Sequence, residues 1–125
     1  MPRDEGKKPM SEQEIHDLIH KEITSHDIVL FMKGTKQSPQ CGFSGQLMQI
    51  LGRLGVDYKG INVLEDPSLR AGVKSYANWP TIPQLYVKGE FVGGCDIVRE
   101  MFQSGELQDL LTRKSISTNQ PPAGG

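Results

Sequence analysis

A run of five apolar residues, Ile28–Met32, constrains the fold more than any other segment because its pattern predicts a buried strand. Lys33-Gly34 ends the run. Apolar residues then recur at helical spacing from Phe43 to Leu54, followed by a glycine suited to a helix C-cap. Tyr58–Val63 predicts a second strand, so this part of the chain forms a βαβ unit with a right-handed crossover.

The remaining segments predict the order α β α β α β β α α for the whole chain. Their signals are a capping box, a Pro at a helix start, a Gly turn inside a hairpin, and a Gly that interrupts the last helical stretch. They lie at Ser11–Glu14, Asp66-Pro67, Lys88-Gly89 and Gly105. The simplest packing of this order is an α/β fold, a four-stranded mixed sheet with helices on both faces.

Length and charge favour one domain with no polyanion partner. The 125 residues give room for a single core, which we place at 11–113, between disordered segments at 1–10 and 114–125. A net charge of -1 with scattered basic residues gives no face for nucleic acid. No apolar run approaches the ~20 residues of a membrane span. The chain has two cysteines, too few for a disulfide framework, which fits a reducing compartment. We therefore expect a cytoplasmic protein, or one of an organellar matrix if a longer precursor was trimmed.

Cys41 is the candidate reactive residue because it falls at the N-terminus of the predicted second helix. Unpaired helix amides and the helix dipole favour a negative sulfur, and Lys33 can add a positive charge. Both effects lower the thiol pKa from about 8.5 toward neutrality. The alternative is a buried cysteine in a helix cap. Ser44 stands where a second cysteine would complete a C-x-x-C motif, so no adjacent resolving thiol is available.

Four motifs carry a family resemblance. The segment Trp79–Pro83 before a hairpin, on a βαβ unit with a cysteine at its first turn, resembles the thioredoxin fold, whose Thr-x-Pro proline is cis and faces the active-site cysteine. Lys33-Gly34, the Cys41–Ser44 quartet Cys-Gly-Phe-Ser, and Gly93–Asp96 narrow the match. Together they resemble a single-domain monothiol glutaredoxin of the Cys-Gly-Phe-Ser class, the bacterial and mitochondrial type.

The resemblance implies a 2Fe-2S cluster held between two subunits of a homodimer. One cysteine from each subunit and the thiols of two bound glutathiones would ligate it, which makes Cys41 both the metal ligand and the catalytic thiol. Such a cluster prefers thiolate ligands, and each chain has one suitably placed. The implied partners are a scaffold protein that donates clusters and apo iron-sulfur proteins that receive them. In relatives a BolA-like protein replaces one subunit.

The resemblance also implies which residues bind each part of glutathione. Lys33 and Arg70 meet the glycyl carboxylate, the Ile82 backbone beside Pro83 pairs with the cysteinyl part, and Thr81 lines the same wall. The γ-glutamyl end lies at Gly94, Cys95 and Asp96. Several have a structural alternative: Lys33 and Arg70 as surface cations, Gly94 as a turn glycine, Asp96 as a helix cap, and Cys95 as a small apolar residue. Phe43 either shields the sulfur or packs in the core, and packing is the favoured role of Trp79.

Two functions follow, with a third less favoured. The first is cluster assembly and transfer. The alternative is a glutathione-dependent thiol-disulfide oxidoreductase that removes glutathione from proteins, with at most weak activity, because the loop Thr35–Gln40 resembles a class feature associated with slow turnover. An adaptor without chemistry is the third. A disulfide between Cys41 and Cys95 is a separate hypothesis for oxidising conditions.

Overall fold

A computed structural model describes residues 11–116 and residue 118. The segment 1–10 and most of 114–125, which the sequence predicts to be disordered, lie outside the described residues. Five helices and four strands follow one another in the predicted order. They are α1 Glu12–Ser25, β1 Ile28–Met32, α2 Gly42–Leu54, β2 Lys59–Asn62, α3 Pro67–Ala77, β3 Gln84–Val87, β4 Glu90–Gly93, α4 Cys95–Ser104 and α5 Glu106–Arg113.

The four strands form one mixed sheet in the order β2-β1-β3-β4, which confirms the predicted α/β fold. Strand β1 runs parallel to β2 and antiparallel to β3, and β3 and β4 form an antiparallel hairpin. All five residues of β1 are buried, as expected for a central strand. Strand β2 is shorter than predicted, because the Asn62 side chain accepts a hydrogen bond from the Leu64 amide and starts a short 3-10 helix at Val63.

Helices cover both faces of the sheet. Alternate residues of β1 point to opposite sides, so Leu30 belongs to the core beneath α2, α4 and α5, and Phe31 to the core beneath α1 and α3. Helices α1 and α3 approach closely at Gly72, where any side chain would overlap Ile15. The capping box predicted at Ser11 is present, with its hydroxyl accepting from the Glu14 amide at 3.1 Å.

The register of the sheet brings three functional segments to one edge. Strand β1 ends at Met32, close to the pairing of Phe31 with Gln84, the first residue of β3. Gly93, the last residue of β4, pairs with Leu85 on the other side of β3. The loop before α2, the Thr-x-Pro segment and the start of α4 therefore meet at the same end of the sheet, where α/β folds place their sites.

Candidate functional site

Cys41 is the N-cap residue of α2 and is partly exposed. Its backbone is extended, with φ −145° and ψ 132°, and its carbonyl accepts the first helical hydrogen bond from the Gly45 amide at 3.0 Å. Its side chain makes no ordinary capping hydrogen bond. The sulfur is therefore held at the positive end of a helix while remaining reachable from solvent.

The surroundings of Cys41 favour its thiolate. Burial by itself raises the pKa of the thiol, but four influences oppose it: the backbone amides of Ser44 and Phe43, the positive charge of Lys33, and the Ser44 hydroxyl. Their sum lowers the pKa of Cys41 below its ordinary value. The direction agrees with the sequence analysis, and the partial exposure of Cys41 excludes the alternative of a fully buried cysteine.

Ser44 occupies the position of a missing second thiol and has a structural role. It is completely buried, and its hydroxyl accepts a hydrogen bond from the Lys33 amide at 3.0 Å. The bond ties the first turn of α2 to the end of β1. It thereby holds Lys33, itself half-buried, on the side of the helix where its charge acts on Cys41.

The loop between β1 and Cys41 is closed by its own hydrogen bonds. Thr35 and Ser38 exchange backbone bonds of 3.1 Å in both directions, and the Gln40 amide donates to the Lys33 carbonyl at 2.9 Å. Gly34 has φ +102°, and a Cβ there would lie 2.5 Å from the Gln40 nitrogen, so the close return of the loop requires glycine. The loop therefore holds Cys41 in a fixed position at the start of α2.

A groove of ≈ 160 Å³ lies beside this helix start. Its walls come from three segments: Phe43 of α2, the stretch that contains Trp79 and Thr81–Pro83, and Gly94–Ile97 at the start of α4. Phe43 is 55% exposed, so it forms part of the groove rim and is not packed in the core. The groove brings together six of the sequence-predicted ligand residues: Thr81, Ile82, Pro83, Gly94, Cys95 and Asp96.

Backbone forms much of the groove wall. The Ile82–Pro83 peptide bond is cis, as the resemblance implies. The amide and carbonyl of Ile82 have no hydrogen-bond partner among the described residues. A Cβ at Gly94 would approach Trp79 Nε1 to 3.1 Å and the Pro83 carbonyl to 3.3 Å, so glycine permits this close packing. The Trp79 ring packs on Phe91 at a centroid distance of 5.5 Å, in keeping with its favoured packing role.

Gln84 holds the groove wall to the sheet and was missed by the sequence analysis. Its side chain is completely buried in β3. Its Nε2 donates to the Trp79 carbonyl at 3.3 Å and to the Thr81 carbonyl at 3.1 Å, while its Oε1 accepts from the Tyr86 hydroxyl at 3.4 Å. The signal available beforehand was a polar residue at the start of a strand that is otherwise apolar.

Cys95 is a free thiol with a different environment from Cys41. It is buried, and burial, together with the negative charges of Asp96 and Cys41, raises its pKa against the opposing charge of Arg99. Its Sγ donates to Gln46 Oε1 at 3.2 Å. The two cysteines thus differ in character, one favouring the thiolate and the other the neutral thiol.

Lys33 does not line the groove, although its charge acts on Cys41, and Arg70 also lies outside the groove lining. Arg70 is exposed on α3 and lines a second depression of ≈ 600 Å³ together with Lys74. Trp79 is common to this depression and to the groove, so the two are adjacent. An extended ligand in the groove could reach Arg70 by passing Trp79.

Within the described part of the chain, the side chains around Cys41 do not form a complete metal site. Within residues 11–116 and 118, no group of three or more His, Cys, Asp and Glu side chains is placed to hold a metal ion. Cys41 is partly exposed and activated, whereas Cys95 is buried and hydrogen-bonded. These residues fit a cluster only if each chain supplies one thiolate and the other ligands come from elsewhere.

Comparison with known proteins gives consistent matches. A glutaredoxin family model matches residues 28–92. The chain is 54% identical over 102 residues to a protein named probable monothiol glutaredoxin 2 of Rickettsia conorii, covering 82% of this chain and 95% of the relative. It is 54% identical over 101 residues to mitochondrial monothiol glutaredoxin-5 of Saccharomyces cerevisiae, covering 78% and 67%.

Solved structures agree with the fold. Reduced apo GrxS14 of poplar has a TM-score of 0.75 and 50% identity, covering 83% of this chain and 96% of the other. A buckwheat glutaredoxin-glutathione complex has a TM-score of 0.75 over 93% and 99% of the two chains; at 22% identity it supports the fold alone. No helix in the described part of the chain has the length and apolar character needed to cross a bilayer.

Proposed function

Because the chain belongs to the glutaredoxin family, as a single-domain monothiol member, we propose that it binds glutathione beside Cys41 and uses it to carry a 2Fe-2S cluster. The observation that carries the proposal is one activated, partly exposed thiol beside a groove with unpaired backbone groups. A related fold has been solved with glutathione bound, in the buckwheat protein.

The groove offers complementary groups along its length. The unpaired Ile82 amide and carbonyl can bond the cysteinyl part of the tripeptide as an added strand would, with Thr81 on the same wall. Cys95 and Asp96, at the N-terminus of α4, lie where the γ-glutamyl end would bind. Lys33, beside Cys41, and Arg70, beyond Trp79, supply cations for the glycyl carboxylate.

The cluster is proposed as cargo bridged between two copies of the chain. A 2Fe-2S cluster takes four thiolates, and two chains with two glutathiones provide that number when each chain contributes only Cys41. The burial of Cys95, which raises its pKa, argues against its acting as a second ligand. We propose that clusters come from a scaffold protein and pass to apo iron-sulfur proteins, and that a BolA-like protein can replace one subunit.

The location of the protein follows the same reasoning. We propose a reducing compartment, either the cytoplasm or an organellar matrix, because an exposed thiolate and a glutathione ligand both require reducing conditions. The yeast relative is named mitochondrial.

A second function is favoured by the lowered pKa of Cys41. The thiolate can attack the glutathione sulfur of a glutathionylated protein, which forms a Cys41–glutathione disulfide and releases the protein thiolate. A second glutathione thiolate then attacks that disulfide, so oxidised glutathione leaves and the Cys41 thiolate returns. The reaction needs one thiol from the chain, which accords with Ser44 being buried and engaged. The hydrogen-bonded loop Thr35–Gln40 is expected to keep this activity weak.

Anaerobic reconstitution with iron, sulfide and glutathione tests the proposal. The wild-type chain should become brown, with visible charge-transfer absorption, and should elute as a dimer. Cys41→Ser should remain colourless and monomeric. Cys95→Ser removes the other thiol but keeps a hydroxyl donor toward Gln46, and it should still become brown, which would show that Cys95 is not a cluster ligand. A colourless wild type that rapidly reduces glutathione mixed disulfides would instead favour the oxidoreductase.

A further inference from the structure

A side-chain clasp joins α2 to α4 across the site. Gln46, one turn beyond Cys41 on α2, accepts hydrogen bonds at its Oε1 from Cys95 Sγ and from Arg99 Nη1, both at 3.2 Å. The other guanidinium nitrogen, Arg99 Nη2, contacts Asp96 Oδ1 at 3.1 Å. One amide oxygen thus connects the helix of the reactive thiol directly with Cys95 and, through Arg99, with Asp96, both of which line the groove.

The chemistry of Arg99 fixes the orientation of the Gln46 amide. A guanidinium donates hydrogen bonds and accepts none, so the amide atom facing it is the carbonyl oxygen and not the nitrogen. Cys95 Sγ faces the same oxygen. The Cys95 thiol therefore must donate to it, which sets the direction of its S–H bond and the rotamer of the side chain.

The clasp also restrains Asp96. Arg99 bonds one of its carboxylate oxygens, Oδ1, and Asp96 itself lines the groove. Asp96 is otherwise highly exposed, so an unrestrained carboxylate would lose rotamer freedom when it binds a ligand. Restraint before binding reduces that cost.

We propose that Gln46 is a positioning residue that, through Arg99, holds the Cys95–Asp96 end of the groove at a fixed place relative to Cys41. The proposal rests on the function proposed above and deepens it. It assigns to the clasp the recognition of the ligand end that carries both an ammonium and a carboxylate group, which is the γ-glutamyl part of glutathione. The clasp has no role at the cysteinyl or glycyl part.

Ligand truncation separates this role from a general structural one. The probes are S-methylglutathione and S-methylcysteinylglycine, which differ only by the γ-glutamyl group and have blocked sulfurs. Binding is followed by amide NMR titration of the full chain. Gln46→Leu should weaken binding of the tripeptide roughly two- to tenfold, the size of a lost hydrogen bond, and leave binding of the dipeptide unchanged.

Two matched variants complete the test. Gln46→Glu keeps an oxygen that accepts from both Cys95 and Arg99, so its tripeptide affinity should stay within about twofold of wild type. Gln49→Leu changes an exposed glutamine on the same helix and should have no effect on either ligand.

Three results would overturn the proposal. An equal loss for both ligands in Gln46→Leu would indicate a general loosening of α2 against α4. Unchanged tripeptide binding in that variant would show that the clasp does not position the site. If the wild type bound neither S-methylglutathione nor S-methylcysteinylglycine, this proposal would be overturned together with glutathione binding itself. That result is distinct from the first two.

Discussion

Replacement of Gln84 should lower the free energy of unfolding by more than the loss of one hydrogen bond would. Gln84→Leu has similar volume but removes three hydrogen bonds, two to the carbonyls of Trp79 and Thr81 and one from the Tyr86 hydroxyl. A typical bond contributes about 1 kcal/mol net. Because Thr81 is exposed and its carbonyl can turn to water, we expect a total loss of about 2 kcal/mol in the free energy of unfolding.

Tyr86→Phe is the matched variant because it removes one of the three bonds, the longest at 3.4 Å. We expect it to cost about 0.5 kcal/mol. Equilibrium unfolding in urea distinguishes the two: with a slope of about 2 kcal/mol/M, Gln84→Leu should lower the midpoint by about 1 M and Tyr86→Phe by about a quarter of that.

The same substitution tests how the groove is held. If Gln84 fixes the segment that contains Trp79 and Thr81, then Gln84→Leu should also weaken glutathione binding under conditions where the protein is fully folded. Tyr86→Phe should leave that binding near the wild-type level. A Gln84→Leu protein as stable as Tyr86→Phe, with unchanged affinity, would refute the reasoning.

Two other predictions follow from the geometry. The pKa of Cys41 is lowered and that of Cys95 is raised, so at a given pH a larger fraction of Cys41 is thiolate. At pH 7, iodoacetamide should therefore alkylate the Cys95→Ser chain, which keeps Cys41, about tenfold or more faster than the Cys41→Ser chain, which keeps Cys95. Equal rates would contradict the assignment of Cys41 as the reactive thiol. Gly34→Ala should lower the free energy of unfolding by about 1–3 kcal/mol, because it places a side chain at φ +102° against the Gln40 backbone. Gly42→Ala is the control, since a Cβ there has open space around it, and it should not destabilise the protein. Thermal melting compares the two variants, and equal melting temperatures would argue against strain at Gly34.

Local patterns were sufficient to predict the order of the elements. The apolar run Ile28–Met32, the capping box at Ser11 and the glycine after Leu54 each act within a few residues, and each has the predicted structure. The end of β2 was missed because it depends on the Asn62 side chain, which also accepts from the Gly34 amide at 3.0 Å. A contact between residues so far apart leaves no local pattern.

The site was predicted in part. Cys41 could be identified from its place before an amphipathic helix, and the resemblance supplied the groove residues. The bonds of Gln46 and Gln84 could not be found in this way, because a glutamine on a helix or strand has the same local pattern whether it faces solvent or joins two elements. The packing of α2 against α4 decides the first case, and the burial of β3 decides the second.

The burial of Ser44 determines what a second thiol engineered at that position would disrupt. A cysteine installed there would begin without solvent access and would replace a hydroxyl that accepts from the Lys33 amide with a sulfur that accepts poorly. Its sulfur would lie close to Cys41, because the Ser44 hydroxyl already acts on the Cys41 thiol, but the hydrogen bond that ties the end of β1 to α2 would be weakened. A Ser44→Cys chain is therefore expected to gain a second thiol within reach of Cys41 and to loosen the contact that holds Lys33 beside it.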